Sequence, residues 1–349
     1  MPHYNLALLG FGNVGRAFAR LLIRKRGELF DRYNLTCKVT GIYTARHGSA
    51  IHPSGLDLEQ ALAAIEEPTR GTSSLTALSS QPEPANAIDF IQRSEGDVLF
   101  ETSPVNYETG QPAVTHLRTA LLRGMHGITA NKGPVVHAYT ELTELATSKG
   151  LKFYFESTVM DGAPIFSLFR ETLPAARLLG FTGIFNSTTN LILSRMETGE
   201  SMEAAIAYAQ SIGIAETNPS GDVDGWDAAV KVAALVTVLM DIPLKPGQVQ
   251  REGIREIGNE QIRQARERGM RWKLVCRARR VAGGVETSVK PELVELSSPL
   301  YNVEGTTSIA QFETDVLGLF SVLETDPGPE TTAYGMLADF LNVVKGEVG

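Results

Sequence analysis

Tyr4-Asn5-Leu6-Ala7-Leu8-Leu9 runs directly into Gly10-Phe11-Gly12-Asn13-Val14-Gly15, and a helical apolar spacing through Ala17, Phe18, Leu21 and Leu22 follows. An apolar strand, a G-x-G-x-x-G turn and an amphipathic helix in this order predict the opening of a Rossmann-type α/β sheet. Each glycine has a physical reason: Gly10 makes the tight turn, Gly12 lets the backbone approach a pyrophosphate, and Gly15 lets the helix pack on the strand. The whole turn, with Phe11, Asn13 and Val14, is therefore the expected dinucleotide cradle. The spacing alone also describes a glycine turn that binds nothing; its place after an N-terminal strand favours the nucleotide.

Working outward, a second strand over Cys37 to Tyr43 should end beside the adenosine ribose. An acid there would hold the ribose hydroxyls, but the chain reads Tyr43-Thr44-Ala45-Arg46-His47. Arg46 suits a 2′-phosphate and leans the reading to NADP, although an arginine after a strand also occurs with no ligand. The strand Val98 to Phe100 ends in Glu101-Thr102-Ser103-Pro104, and the strand Gly127 to Thr129 ends in Ala130-Asn131-Lys132. The carboxyl ends of parallel strands face the ligand, so Thr102, Ser103 and Lys132 are candidate cofactor contacts, with a surface lysine as the plain alternative for Lys132.

From Leu151 the pattern changes. Strands are expected at Lys152 to Glu156 and Gly180 to Phe185, then long helices, then a hairpin about Gly283-Gly284. The polar run Asn186-Ser187-Thr188-Thr189-Asn190 caps a helix over Leu191 to Met196, and more polar groups than capping needs suggest a cradle for a small polar ligand. Gly213 to Lys231 (GIAETNPSGDVDGWDAAVK) holds the acids Glu216, Asp222, Asp224 and Asp227 and opens as a loop before closing as a helix. Trp226, Val230, Ala233, Ala234 and Thr237 recur at helical spacing, which puts Asp227 and Lys231 on one face. Such a pair is commonly a surface ion pair. Here the helix continues as Val232 to Met240 with no charge, so it is expected to be largely buried, and a lysine on it needs a reason to be there. A half-buried ammonium is a candidate proton donor.

The chain has 349 residues, enough for two domains. We expect a dinucleotide-binding domain over 1–150, completed by a C-terminal helix within 331–349, and an α+β domain for substrate, catalysis and dimerisation over 151–330. Hydrophobic residues at 43% and charged residues at 21% are those of a globular protein, and a net charge of −8 argues against nucleic acid as partner. Basic residues of the stretch Arg251 to Arg280 alternate with Glu252, Glu256, Glu260 and Glu267, which reads as a solvated amphipathic helix. Cys37 and Cys276 lie in strand-like surroundings without metal-ligand spacing, which fits a reducing cytoplasm. The apolar run Val232 to Met240 is too short to cross a membrane, and residues 68 to 86, rich in Ser, Thr and Pro, read as a surface loop.

Taken together, Gly10–Gly15, Thr129-Ala130-Asn131-Lys132, Glu156-Ser157-Thr158-Val159, Asn186–Asn190, the segment Gly213 to Lys231 and Gly328-Pro329-Glu330-Thr331-Thr332-Ala333 resemble homoserine dehydrogenase, in order and over nearly the whole chain. The resemblance implies interconversion of aspartate 4-semialdehyde and homoserine with NADP or NAD. It implies that Lys231 is the acid/base, that Lys132 is a second essential lysine, and that Glu216, Asp222 and Asp227 hold the substrate ammonium or orient Lys231. Thr188 is implied at the substrate, and Gly213 and Gly328 at the cofactor. Main-chain oxygens of Val159, Asp161 and Ala163, with Glu156, are implied to bind a structural sodium ion. A homodimer or higher homo-oligomer and a monofunctional enzyme without an appended threonine-sensing domain are also implied. The chain departs from the family where Met160-Asp161 replaces smaller residues, Ser187 a usual glycine, and Asp326-Pro327 a common Gly-Ala. Two alternatives stay open: a related dehydrogenase of another amino acid or semialdehyde, and a nucleotide-binding sensor without chemistry.

Overall fold

Strand β1 (His3–Leu9) is buried on both faces from Leu6 onward, the signature of an interior parallel strand. It lies between β2 (Thr36–Tyr43) and β4 (Val98–Glu101), both parallel to it. The computed structural model describes residues 1–67 and 74–345. β3 (Ser49–Ile51) runs antiparallel on the β2 edge, and β5 (His126–Thr129) and β6 (Phe153–Tyr154) extend the other side, giving the order β3-β2-β1-β4-β5-β6. The helices of this unit are α1 (Asn13–Tyr33), α2 (Leu58–Glu66), α3 (Ala87–Arg93), α4 (Ala113–Arg123) and α5 (Lys132–Ser148).

The register brings the loops expected to face a ligand to one edge. Leu9 pairs with Tyr43 and with Glu101, and Glu101 pairs with Thr129, so the turns at Gly10, Thr44, Thr102 and Ala130 leave the sheet side by side. The chain crosses from one side of β1 to the other between β2 and β4, and that switch point is where a doubly wound sheet opens a crevice.

Two compact units emerge: Met1–Gly162 together with the segment from Gly328 onward, and Ala163–Pro327. The strand expected at Lys152 to Glu156 pairs with β5 in the first sheet, because Phe153 and Tyr154 continue its parallel ladder. The first unit therefore reaches Gly162, beyond the expected limit at 150. Its closing helix follows the second unit in sequence; within this unit, buried Phe340 sets its ring edge-on to Tyr4 at 5.6 Å and to Phe100 at 6.0 Å.

The second unit is built on a sheet of β7 (Leu178–Ile184), β8 (Gln250–Arg251), β9 (Met270–Val281), β10 (Gly284–Glu295), β11 (Ser308–Thr314) and β12 (Gly318–Glu324), in the order β12-β11-β7-β9-β10-β8. Its helices are α6 (Ser187–Met196), α7 (Met202–Ser211), α8 (Ser220–Val223), α9 (Trp226–Leu239) and α10 (Asn259–Glu267), and the closing helix of the first unit is α11 (Pro329–Lys345). β9 and β10 make the expected hairpin at Gly283-Gly284. The stretch Arg251 to Arg280 is helical only over α10. Arg277 and Arg279 flank buried Ala278 at the two-residue period of a strand and pair across the sheet with Glu292 at 2.8 Å and Glu313 at 3.1 Å. Trp226 also departs from expectation: the residue is 38% exposed, with the Arg251 guanidinium 3.8 Å from its ring centre, while the rest of α9 is buried nearly all round. Of the expected surface loop 68 to 86, residues 68–73 lie outside the described residues; Thr76–Leu78 form a short 3-10 turn over buried Leu75.

Candidate active site

In the first unit the glycine turn is held by contacts that leave no room for side chains at two positions. Gly10 has φ +109°, and a Cβ there would lie 2.3 Å from Thr102 Oγ1 and 2.8 Å from the Thr102 carbonyl. A Cβ on Gly15 would lie 2.4 Å from the Gly10 carbonyl, so the glycine lets the helix close on its own turn rather than on the strand as expected. Gly12 faces open space and is the N-cap of α1 with no side-chain cap, leaving first-turn N–H groups free for an anion. Arg16, which sequence reasoning passed over, donates to the Phe11 carbonyl at 3.2 Å and to Asn13 Oδ1 at 3.0 Å and ion-pairs with Glu66 at 2.9 Å.

The neighbouring loops are equally tied down. Thr102 donates its N–H to the Leu9 carbonyl at 2.8 Å, and fully buried Glu101 accepts from the Ser103 N–H at 3.0 Å, from the Ser103 hydroxyl, and from Thr129 Oγ1 at 2.9 Å. Asn131 caps α5 through the Gly133 N–H at 2.9 Å and donates to the Ser103 carbonyl at 3.1 Å. Lys132 is the first residue of that helix. Arg46 is exposed on the turn after β2, where the Thr44 hydroxyl accepts from the His47 N–H at 2.8 Å and donates to the Gly48 carbonyl at 2.9 Å; its own side chain pairs with no described residue.

The turn Glu156–Thr158 rests on α11. The Glu156 N–H donates to Asp339 at 2.7 Å, the Ser157 hydroxyl to the Thr332 carbonyl at 2.7 Å, and Thr332 Oγ1 to Asp161 at 3.0 Å. Asp161 and Asp326, two of the departures from the family pattern, both have left-handed backbone, at φ +34° and +52°. Aspartate is among the few side chains that tolerate this. Gly328 opens α11, its N–H donating to Thr331 Oγ1 at 2.9 Å.

In the second unit, β7 delivers Phe185 and Asn186 to the start of α6, and α8 and α9 bring acids and lysine to the same place. Asn186 Nδ2 donates to Asp222 Oδ1 at 2.6 Å and to Asp227 Oδ2 at 3.0 Å. Lys231 Nζ donates to the Phe185 carbonyl at 2.5 Å and lies 3.5 Å from the same Asp227 oxygen. The lysine and aspartate side chains are only 14% and 10% exposed, so they are not a surface ion pair. Burial, then the charge of Asp227, pushes the Asp222 carboxyl up to about 6, against the pull of Asn186 and Lys231. Cys276 lies on β9 with its thiol pushed by burial to about 12, and is a neutral neighbour of this group.

The remaining expected residues divide. Thr188 is buried, its hydroxyl donating to the Ile214 carbonyl at 3.3 Å. Glu216 and Gly213 sit on the exposed loop after α7, and no described residue pairs with the Glu216 side chain. Asp224 has a structural role, ion-paired with Arg255 while its carbonyl accepts from Arg251. Asn186 was legible as a cap and as part of a polar cradle; its bonds to the two acids need the chain 36 and 41 residues on. Also unforeseen is Lys273 on β9, fully buried, donating to Asn190 Oδ1 at 3.1 Å and to the Val303 carbonyl, its ammonium pushed by burial down to about 8.

The first unit thus carries the glycine turn expected of a dinucleotide-binding sheet, and the second carries a nearly buried lysine beside two carboxylates. Among known proteins, the family model for homoserine dehydrogenase matches residues 164–341, and that for its NAD-binding domain matches residues 10–156. The chain belongs to the homoserine dehydrogenase family. A homoserine dehydrogenase of Methanocaldococcus jannaschii is 36% identical over 97% of this chain and 98% of its own length. An NAD(+)-dependent homoserine dehydrogenase of Pseudomonas canavaninivorans is 33% identical over 98% and 97%. The crystal structure of a homoserine dehydrogenase from Thiobacillus denitrificans superposes with a TM-score of 0.82 at 31% identity, covering 100% of this chain and 74% of that one. The protein is thus an NAD(P)-dependent oxidoreductase acting on a CH–OH group in amino-acid biosynthesis. Among the described residues no helix is long and apolar enough to cross a membrane.

The raised Asp222 carboxyl sets a stability test. A carboxyl that binds its proton more tightly when folded costs stability above pH about 6, and the cost fades as pH falls toward the ordinary 3.8. Asp222→Asn should therefore stabilise the ligand-free protein by about 1–3 kcal/mol at pH 8. The gain should shrink toward zero near pH 4, as read by urea denaturation of both proteins at the two pH values.

Proposed function

We propose that Lys231 is the acid/base of the homoserine dehydrogenase reaction. The observation that carries this is its ammonium, nearly buried on an apolar helix and aimed by the Phe185 carbonyl at 2.5 Å. In the reducing direction a nicotinamide held at the glycine turn would supply the hydride for the aldehyde carbon of aspartate 4-semialdehyde, and the oxygen would need a proton. Lys231 Nζ gives that proton; in homoserine oxidation the neutral amine takes it back from the hydroxyl. Asp227 keeps the ammonium oriented, and Lys132 is the second lysine of the reaction, placed by the Asn131 cap at the carboxyl edge of the first sheet.

The substrate brings an ammonium and a carboxylate. Asp222 and Asp227 suit the first, with Glu216 from the exposed loop as a further acid. The second suits the N-terminus of α6 beside Thr188, where Asn186 satisfies one N–H and others remain. Gly10, Phe11, Gly12, Asn13, Val14 and Gly15 would hold the cofactor, with Thr102, Ser103, Gly213 and Gly328 as further contacts. Arg46 supports NADP, since its guanidinium, unpaired among the described residues, follows the strand that would end beside the ribose. The proposal includes a structural sodium ion held by Glu156 and the main-chain oxygens of Val159, Asp161 and Ala163, an all-oxygen donor set of the kind hard cations take. A homodimer is supported by the edge strand β12 and the turn before it, where Val316, Leu317, Leu319 and Leu323 are 71, 55, 66 and 54% exposed.

Lys231→Ala should lower kcat for homoserine oxidation by about 10²–10⁴-fold. A folded variant with near-normal turnover would remove Lys231 from the mechanism. Arg46→Ala should raise KM for NADPH and leave KM for NADH nearly unchanged, as measured by steady-state absorbance with both cofactors. An unaltered NADPH preference would exclude Arg46 as the phosphate contact.

A further inference from the structure

Asn186 joins two roles in one side chain. Its Oδ1 accepts from the Thr189 N–H at 2.8 Å and from the Thr189 hydroxyl at 2.9 Å, and Thr189 is fully buried. With the oxygen committed to the helix, only the nitrogen can face Asp222 and Asp227, at 2.6 and 3.0 Å. The opposite orientation would set the amide oxygen against two carboxylates and the amide nitrogen against a backbone donor, losing all these bonds. The amide is therefore locked, and its two N–H bonds point one to each acid.

That geometry fixes a spacing. The N–H bonds of a planar amide diverge by about 120°, so the two accepting oxygens are held roughly 5 Å apart. A tetrahedral ammonium donating to two oxygens at hydrogen-bond length spans nearly the same distance, roughly 4.6 Å. The preceding residue completes the arrangement, because the Phe185 carbonyl aims Lys231 Nζ. Two consecutive residues at the junction of β7 and α6 thus set the proton donor and both acids relative to one another.

We infer that Asn186 is the positioning residue that holds the Asp222 and Asp227 carboxylates at the separation a substrate ammonium bridges. The inference rests on the reading of these acids as the ammonium site. Without the shared donor, two buried like charges would repel and one would take up a proton or turn away. The groups that face Asp222 are Asp227 and Lys231 from α9 and Asn186 and Thr188 from α6. Cys276 on β9, next to Asp227 and Lys231, stays neutral.

Asn186→Asp separates the two roles, since aspartate keeps an oxygen for the Thr189 cap and removes the donor. In the full-length protein, KM for homoserine should rise tenfold or more, and the acid limb of the kcat/KM profile should move to higher pH. Cofactor affinity, by fluorescence titration with the nicotinamide nucleotide, should stay within twofold. Asn186→Ser, which can cap but cannot span both acids, should raise KM without the added charge. A folded Asn186→Asp with the parent KM and pH profile would show that the residue only caps the helix. Failure of both variants to fold would likewise assign it to stability and overturn the inference. Asp222→Asn distinguishes the underlying reading: an unchanged homoserine KM there would sink the ammonium site itself. A raised KM there, with unaltered Asn186 variants, would sink only the positioning role.

Discussion

Two carboxylates and an ammonium largely shielded from water must be held by groups that cannot move, and in this protein the Phe185 carbonyl and the Asn186 side chain provide them. Asp222 and Asp227 repel each other where water is scarce, which is why burial and the neighbouring charge raise the Asp222 carboxyl. Such a pair persists in a folded protein only with donors and a counter-charge at hand. The interior strand β7 leads into Phe185 and Asn186, and the apolar body of α9 is packed on every side. The polar group is therefore anchored in two of the best-buried elements of its unit. The stability lost in desolvating Asp222 is the counterpart of bringing two carboxylates together, and such trade-offs are common at functional sites.

The first unit meets the opposite demand. Main-chain N–H groups at a helix N-terminus can serve an anionic ligand without any buried charge. Gly12 at the N-cap of α1 leaves those groups uncapped, while Gly10 and Gly15 allow turn, helix and the Thr102 loop to approach within distances that exclude a Cβ. Glu101 and Asn131 then link the loops after β4 and β5. The rigidity of this edge comes from side chains that tie one loop to the next.

The strand, turn and helix at Tyr4 to Leu22 were readable because every requirement there is local: alternation, glycine spacing and helical period lie within a few residues. The pair Asp227 and Lys231 was readable for the same reason, being four apart on one helix. Where local pattern misled, a distant partner decided. Phe153 and Tyr154 read as the start of a new domain but continue the ladder of β5. Arg277 and Arg279 read as helix but face Glu292 and Glu313 on other strands. Trp226 fits the apolar period of α9, yet its ring lies outside under Arg251.

The sequence by itself determined the dinucleotide turn, the order of the two kinds of fold, the buried helix with its lysine and the family to which the chain belongs. These depend on spacing along the chain. Only the tertiary structure decided which of the acids in Gly213 to Lys231 act together. Asp222 and Asp227 share Asn186, Asp224 is taken by Arg255, and Glu216 stays on an exposed loop. It also decided that Lys273 is buried and neighbours Asn190. A hydrogen bond depends on distance and direction in space, and a residue type at a given position in the chain carries neither until the strands and helices have packed.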